Sequence, residues 1–168
     1  MIHVCSLARL NDIVAGTGAR HIVTLLKTTD VVKRPECVMP DNHLVLCMDD
    51  IAEPMDGYVV PCEDHVSRLI AFARNWDRTA PMVVLCYAGI SRSTAGAFVT
   101  ACALNPGRSE LRIAQELRRL SNTASPNRRI VSIADSLLGR QGRMVDAIGA
   151  IGLGMSAYEA NPFRLDLE

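Results

Sequence analysis

The first half of the chain alternates short apolar runs with amphipathic segments, which is the pattern of a layered α/β structure. Between the last two apolar runs, the segment 62–76 places apolar side chains at helical spacing. Pro61 precedes this segment and acidic residues occupy its first turn, as expected for a helix start. The apolar runs are predicted to be strands, and they cover residues 2–7, 21–26, 43–48 and 82–87.

The second half of the chain is predicted to be helical. Helical spacing recurs in residues 94–104 and 109–120, and Ser125-Pro126 opens a third helix that Gly139 can close. From about Gly152 the chain is rich in glycine and lacks periodicity. The pattern therefore predicts a single α/β domain over residues 1–150, with a central mixed or mostly parallel sheet of about four or five strands flanked by helices. We expect residues 151–168 to form an irregular tail.

Composition and charge restrict the class of partner. The chain has 168 residues, of which 49% are hydrophobic, so it can bury a sizeable core. Its 18 basic residues equal its 18 acidic residues. Proteins that bind nucleic acids or anionic membranes usually carry an excess of Lys and Arg over a broad face. We therefore expect neither partner, and the sequence does not predict an oligomeric state.

The six cysteines are expected to be reduced thiols. They lie mostly in apolar stretches, no Cys-x-x-Cys pair occurs, and no secretory segment precedes them. The pattern favours a soluble, cytoplasmic protein. The chain has no paired Cys/His spacing of the kind that zinc needs, so we predict neither a metal site nor a cofactor.

A Cys followed six residues later by an Arg occurs three times, at Cys62, Cys86 and Cys102. The first match lies in a predicted helix with two acidic residues where an anion would sit. The third has its Cys inside a helix, and Pro106 in the intervening run removes a backbone donor. Only the Cys86 match stands between a predicted strand and a predicted helix.

The segment from Cys86 to Arg92 meets the requirements of a phosphate site. Backbone N–H groups that converge at a helix N-terminus bind a phosphate, and Gly89 permits the unusual backbone angle that a tight loop needs. Arg92 can contact two phosphate oxygens, and the same field favours the thiolate of Cys86. Ser93 can donate a hydrogen bond to the sulfur when it leaves. The predicted amide donors are Tyr87, Ala88, Gly89, Ile90 and Ser91.

The stretch CYAGISRS resembles the signature loop of the cysteine-based protein tyrosine phosphatases, and AGISRS is most similar to the dual-specificity branch. The surrounding layout and the segment SPNRRI also fall where that branch has them, so the resemblance covers roughly residues 1 to 140. It implies that Cys86 attacks phosphorus, that Arg92 stabilises the transition state, and that water then hydrolyses the phosphocysteine. It also implies an aspartic acid about 30 to 40 positions upstream that protonates the leaving oxygen.

The upstream segment MDDIAEPMDG offers three candidates for this general acid. We select Asp50, which is followed by apolar Ile51; Asp49 is the second candidate and Asp56 the third. The family usually has His immediately before the nucleophile, whereas this chain has Leu85. That departure leaves two interpretations, an active phosphatase or a phosphate-binding pseudophosphatase with little turnover. A rhodanese-like sulfurtransferase fits the loop less well.

The neutral side chains of the loop favour a phosphoprotein or small aryl phosphate over a phosphoinositide as substrate. Relatives that act on phosphoinositides tend to carry Lys in this loop to meet the polyanionic headgroup. The resemblance does not decide between phosphotyrosine and dual specificity.

Overall fold

Five strands form one mixed sheet in the computed structural model, which describes residues 1–167. They are β1 (Ile2–Ser6), β2 (His21–Leu26), β3 (His43–Cys47), β4 (Met82–Cys86) and β5 (Phe163–Leu165). Their order across the sheet is β3-β2-β4-β1-β5. The first four strands are parallel, and β5 runs antiparallel to β1 at the edge. The predicted fold class is therefore confirmed.

Six α-helices surround the sheet in the described residues. They are α1 (Leu10–Thr17), α2 (Glu63–Asn75), α3 (Arg92–Leu104), α4 (Glu110–Leu120), α5 (Arg128–Leu137) and α6 (Arg143–Ile151). The four helices that the sequence predicts correspond to α2, α3, α4 and α5. Among residues 1–167, no helix combines the length and the apolarity that crossing a membrane requires.

The central strand β4 divides the core into two clusters because its side chains alternate between the faces of the sheet. Val84 and Cys86 belong to the larger cluster, to which α2, α3, α4, α5 and α6 contribute. Val83 and Leu85 belong to a smaller cluster with residues of α1. The nucleophile candidate therefore lies on the face that the larger set of helices covers.

Helix α3 runs through the centre of the larger cluster and begins directly after the predicted phosphate loop. Its residues from Arg92 to Cys102 are all buried. A Cβ atom added at Gly96 would lie 3.0 Å from Val84 Cγ1 and 3.2 Å from Leu25 Cδ1, so glycine lets the helix approach the sheet closely. This packing holds the helix N-terminus at the carboxyl end of β4.

The sequence pattern does not predict α1, α6 or β5. Helix α1 has only eight residues, with Leu10 and Val14 buried one turn apart, which is too short for a clear period. Strand β5 has only three residues, with Phe163 and Leu165 buried and Arg164 exposed between them. Residues 163–165 are thus a sheet edge within the segment for which we expect an irregular tail.

Candidate active site

The phosphate loop, residues 86–92, connects the end of β4 to the start of α3. At Gly89 the φ angle is +77°, and an added Cβ would lie 3.0 Å from both the Cys5 carbonyl carbon and the Ser6 nitrogen. Both features favour glycine, because other residues rarely adopt this angle and the β1 backbone leaves no space for a side chain. The expected role of Gly89 in a tight turn therefore agrees with its conformation.

Neighbouring segments bind the carbonyl groups of the phosphate loop. The carbonyl of Tyr87 accepts from the Leu7 N–H (3.3 Å) and that of Ala88 from the Ala160 N–H (2.9 Å). The segment before α5 binds two further carbonyls: the Ser125 N–H donates to the Ile90 carbonyl (3.0 Å), and the Asn127 N–H donates to the Ser91 carbonyl (3.3 Å).

Within residues 1–167, the N–H groups of residues 88–91 donate to no other backbone or side-chain group. The loop thus turns its carbonyls towards the protein and keeps its amides available for an anion.

Cys86 is the last residue of β4, and its side chain is almost completely buried at the base of the loop. Its Sγ lies 3.1 Å from the hydroxyl oxygen of Ser93, in the first turn of α3. The helix N-terminus supplies a positive field at this point, which stabilises a negative charge on sulfur. Leu85 packs among aliphatic side chains on the opposite face of the sheet, so it contributes no polar group to the loop.

A second buried cysteine lies near the nucleophile candidate but has a different environment. Cys5 of β1 pairs in register with Leu85 and points to the face that α1 covers. Burial raises the pKa of the Cys5 thiol to about 12, so this thiol stays protonated at neutral pH. Of these two cysteines, only Cys86 belongs to the phosphate loop.

Arg92 is a buried cation whose hydrogen-bonding capacity is only partly used. Its Nη1 donates to the Met48 carbonyl (2.8 Å), and its buried Nε has no partner in the described part of the chain. It also forms no ion pair with a carboxylate of residues 1–167. A buried guanidinium in this state is suited to an anionic ligand that supplies the missing acceptors.

Arg92 lines a cleft of about 260 Å³ above the loop, which we call the phosphate cleft. The residues that line this cleft are Lys27, Asp30, Asp49, Asp50, Tyr87 and Arg92. At the edge of the cleft, Lys27 Nζ lies 4.0 Å from Asp30 Oδ1. Two of the three acid candidates are therefore at the cleft, whereas Asp56 is not among its lining residues.

Asp50 and Asp49 use their carboxylates differently within the acid loop, residues 48–61. Asp50 Oδ1 accepts hydrogen bonds from the Ser91 hydroxyl (2.7 Å) and from the Asn127 side-chain amide (2.8 Å). These contacts tie Asp50 to the phosphate loop. Asp49 Oδ2 instead accepts from the Val59 N–H (2.8 Å), and the Asp49 N–H donates to the Val59 carbonyl (2.8 Å). Asp49 thus connects the start of the acid loop to its end at Val59.

Two residues that support the site, Asn127 and Arg129, were assigned no role by sequence reasoning. Asn127 Oδ1 caps α5 by accepting from the N–H groups of Arg129 and Ile130, both at 3.1 Å. Arg129 donates from Nε to the Pro61 carbonyl (2.7 Å) and from Nη1 to the Ala52 carbonyl (3.1 Å). Both residues belong to SPNRRI, a segment that contributes to the resemblance to the dual-specificity branch and could have indicated them.

The two other Cys-x5-Arg matches do not form anion-binding loops. Cys62 occupies the N-cap position of α2, and Cys102 lies within α3. Neither Cys stands at the junction of a strand and a helix, which is the position that distinguishes the Cys86 match.

No family model and no curated protein sequence matches this chain. Solved structures do match it. Human DUSP28 is 16% identical with a TM-score of 0.64, over 83% of this chain and 89% of that protein. The PTP-2 phosphatase of Cydia pomonella is 17% identical with a TM-score of 0.62, over 80% and 84% of the two chains.

The chain has the fold of the cysteine-based phosphatases of the dual-specificity type. A structure of PTPMT1 in complex with PI(5)P also matches this phosphatase fold, at 14% identity and a TM-score of 0.62, over 90% of this chain and 94% of that one. The resemblance that CYAGISRS carries is thereby confirmed at the level of the fold.

Proposed function

We propose that this chain hydrolyses phosphate monoesters on phosphoproteins, at phosphotyrosine or with dual specificity, through a phosphocysteine intermediate. One observation carries the proposal. Arg92 is a buried guanidinium with an unpaired Nε and no carboxylate partner in residues 1–167, and it lies at the loop that begins with Cys86. The same cleft holds Asp50, an acid that is tied to the loop by Ser91.

Substrate binding places the phosphate dianion against the free N–H groups of the phosphate loop. The N-terminus of α3 adds its partial positive charge, and Arg92 supplies a guanidinium whose Nε has no other acceptor in residues 1–167. Arg92 donates from Nη1 to the Met48 carbonyl, so Nε and Nη2 are the groups that remain to bind phosphate oxygens. Phosphate binding therefore satisfies donors that the protein itself leaves unpaired.

In the first chemical step, the Cys86 thiolate attacks phosphorus and an S–P bond forms while the bond to the leaving oxygen breaks. Asp50 donates its proton to that oxygen, which departs as a neutral hydroxyl group. Both hydrogen bonds that Asp50 accepts go to Oδ1, so Oδ2 is available to carry the proton. Arg92 and the loop amides stabilise the charge on the equatorial oxygens.

In the second step, water attacks phosphorus and the S–P bond breaks. The Asp50 carboxylate takes a proton from that water, which restores the acid, and inorganic phosphate leaves. The sulfur departs as a thiolate, and the Ser93 hydroxyl at 3.1 Å can donate a hydrogen bond to it. Each group thus returns to its starting protonation state after one turnover.

The charge around the cleft favours a phosphoprotein over a phosphoinositide. When Asp50 carries the proton that it donates, two carboxylates, Asp30 and Asp49, face two cations, Lys27 and Arg92. The remaining loop side chains are neutral, so the cleft has no excess of cations for the additional phosphates of a headgroup. PTPMT1, which shares the fold, has been crystallised with PI(5)P, and a phosphoinositide is therefore the appropriate competing substrate for comparison.

A phosphate-binding pseudophosphatase is the second candidate function, and Leu85 is the observation that favours it. Its side chain is fully buried in the aliphatic cluster beside α1. It cannot supply the hydrogen bond that a His could offer at the base of the loop. The thiolate of Cys86 then depends on the helix N-terminus, the loop amides and Ser93 alone.

The test is hydrolysis of p-nitrophenyl phosphate by the wild type and by Cys86→Ser, with vanadate as inhibitor. We expect turnover by the wild type, competitive inhibition by vanadate, and no detectable turnover by Cys86→Ser. Cys37→Ser is the matched control, because Cys37 is an exposed thiol outside the loop. Vanadate binding without turnover by the wild type would instead support the pseudophosphatase.

A further inference from the structure

A second cavity of about 380 Å³ adjoins the phosphate cleft, and Tyr87 lines both. We call it the Tyr158 pocket; its lining residues are Leu7, Ala8, Tyr87, Tyr158 and Glu159. The mechanism proposed above uses none of its side chains. The pocket therefore lies next to the place that the phosphorylated residue of a phosphopeptide would occupy.

The pocket wall is held in a fixed position relative to the phosphate loop. The Ala160 N–H donates to the Ala88 carbonyl (2.9 Å), and the Ser6 hydroxyl donates to Glu159 Oε1 (2.5 Å). The segment then continues into β5, which pairs with β1. Glu159 thus presents its carboxylate from a segment that is anchored to the loop and to the sheet.

The two tyrosines of the pocket are exposed although they have large apolar surfaces. The side chain of Tyr158 is fully exposed, and that of Tyr87 is 62% exposed. Two exposed aromatic rings beside a carboxylate form the arrangement that attracts cations, through the ring quadrupole and through charge. Leu7 and Ala8 add an apolar wall for the aliphatic stem of an Arg or Lys side chain.

Resting on the proposed function, we infer that the Tyr158 pocket binds an Arg or Lys side chain next to the phosphorylated residue of a phosphopeptide substrate. Ser6 occupies Glu159 Oε1, which leaves Oε2 for the incoming cation. The substrate phosphate in the adjoining cleft adds negative charge next to Glu159, which also favours a basic side chain at this position. An acidic residue at the same position would be repelled.

The experiment compares phosphotyrosine peptides that carry Arg, Lys, Ala or Glu at one to three positions on either side of the phosphotyrosine. We measure kcat/KM with the wild type and Kd with Cys86→Ser. We expect Arg and Lys to be preferred over Ala by about five- to tenfold at one of these positions, with Glu the poorest. Hydrolysis of p-nitrophenyl phosphate serves as a reference that does not reach the pocket.

Two variants of the pocket test whether its side chains cause this preference. Glu159→Gln retains an acceptor for Ser6 but removes the charge, and Tyr158→Ala removes a ring that makes no packing contribution. We expect each to reduce the preference to about twofold or less, with p-nitrophenyl phosphate hydrolysis unchanged. Tyr158→Phe keeps the ring face and should keep the preference. Asp146→Asn is the control, because it removes one exposed carboxylate on α6.

Two outcomes would overturn the inference. One is equal affinity for the peptides, or no affinity for any of them, in the Cys86→Ser background. The other is a basic preference that Glu159→Gln and Tyr158→Ala both leave intact. Failure of the wild type to hydrolyse p-nitrophenyl phosphate would contradict the proposed turnover alone, because the peptide affinities would still decide whether the pocket binds a basic side chain.

Discussion

The phosphate loop and the acid loop meet at one cleft but are built in different ways. The phosphate loop is mostly buried or half-buried, and four of its carbonyls accept hydrogen bonds from other parts of the chain. In the acid loop, residues 52–59 are all exposed, and the loop is held by the Asp49–Val59 pair and by Arg129. The phosphate loop is therefore held by backbone hydrogen bonds from several segments of the chain, whereas the acid loop is positioned by a few polar contacts.

This difference predicts how each loop responds to substitution. In the proposed mechanism, the phosphate loop supplies the sulfur that attacks phosphorus and the donors that bind the phosphate oxygens, and no other residue of the cleft replaces them. A change in the acid loop removes a proton donor or its support, and water can partly replace a proton donor. Substitutions in the phosphate loop are thus expected to impair both binding and turnover, and those in the acid loop mainly turnover.

After removal of the nucleophile itself, the largest effect is expected for Arg92→Lys. An ammonium group cannot contact two phosphate oxygens in the planar geometry of a guanidinium, and it also loses the reach to the Met48 carbonyl. We expect kcat/KM for p-nitrophenyl phosphate to fall by about 10³-fold, with weaker vanadate binding. Arg112→Lys is the control, since Arg112 lies on the exposed surface of α4. Equal vanadate affinity in wild type and Arg92→Lys would contradict the role of Arg92.

The second-largest effect is expected for Asp50→Asn, a substitution in the acid loop. Asp50→Asn keeps the shape of the side chain and an oxygen for Ser91, but it removes the proton. We expect kcat to fall by about 10²-fold or more, with little change in vanadate affinity. Asp49→Asn is the matched variant, one residue away in the same cleft, and should retain most of the activity. If Asp49→Asn caused the larger loss, Asp49 would be the acid.

Gly89→Ala tests whether the phosphate loop depends on its backbone geometry. The new Cβ would collide with the β1 backbone at 3.0 Å, and the φ angle of +77° is strained for alanine. We expect a loss of about 1–2 kcal/mol in the free energy of unfolding. Displacement of the loop should also lower kcat/KM by about 10²-fold.

Gly149→Ala is the control for this substitution. Gly149 lies in α6, and an added Cβ would meet no atom within 4 Å. Alanine should therefore leave the melting temperature unchanged or raise it slightly, because it favours helix. If both alanine variants melted at the wild-type temperature, the close approach of Gly89 to β1 would not constrain the loop.

The comparison of the two loops also explains what the sequence could predict. The phosphate loop is local: Cys86, Gly89 and Arg92 are close in sequence between a recognisable strand and helix. The orientation of Asp50 is not local, because it depends on Asn127, 77 residues away along the chain. Hydrophobic periodicity carries no information about such a side-chain contact, so Asp49 and Asp50 could not be separated by their environments.

The Tyr158 pocket was beyond sequence reasoning for a related reason. Tyr158 and Glu159 lie in the tail, where glycines and a lack of periodicity predict irregular structure. They reach the phosphate loop only because β5 pairs with β1 and the Ala160 N–H binds Ala88. A three-residue strand has too few positions to show alternation, so the sequence pattern could not show that the tail returns to the site.

The smallest effect is expected for Asn127, the residue that connects the acid loop to the phosphate loop. Asn127→Asp keeps a side-chain oxygen that can cap α5, so the cap of the helix is retained. It removes the amide that donates to Asp50 and places a second carboxylate beside it. We therefore expect kcat to fall by about tenfold while vanadate affinity changes little, because the acid but not the phosphate loop loses its support.

Asn127→Ala separates the two roles of this side chain. Alanine cannot cap the helix, so we expect a loss of about 1 kcal/mol in stability in addition to the lower kcat, measured by chemical denaturation and by steady-state kinetics. If Asn127→Asp retained the wild-type kcat, the amide contact with Asp50 would be dispensable, and Ser91 alone would suffice to hold the acid. If instead Asn127→Asp lost vanadate affinity, the two loops would be coupled through α5, and the division between a binding loop held by backbone hydrogen bonds and a separately supported acid would be wrong.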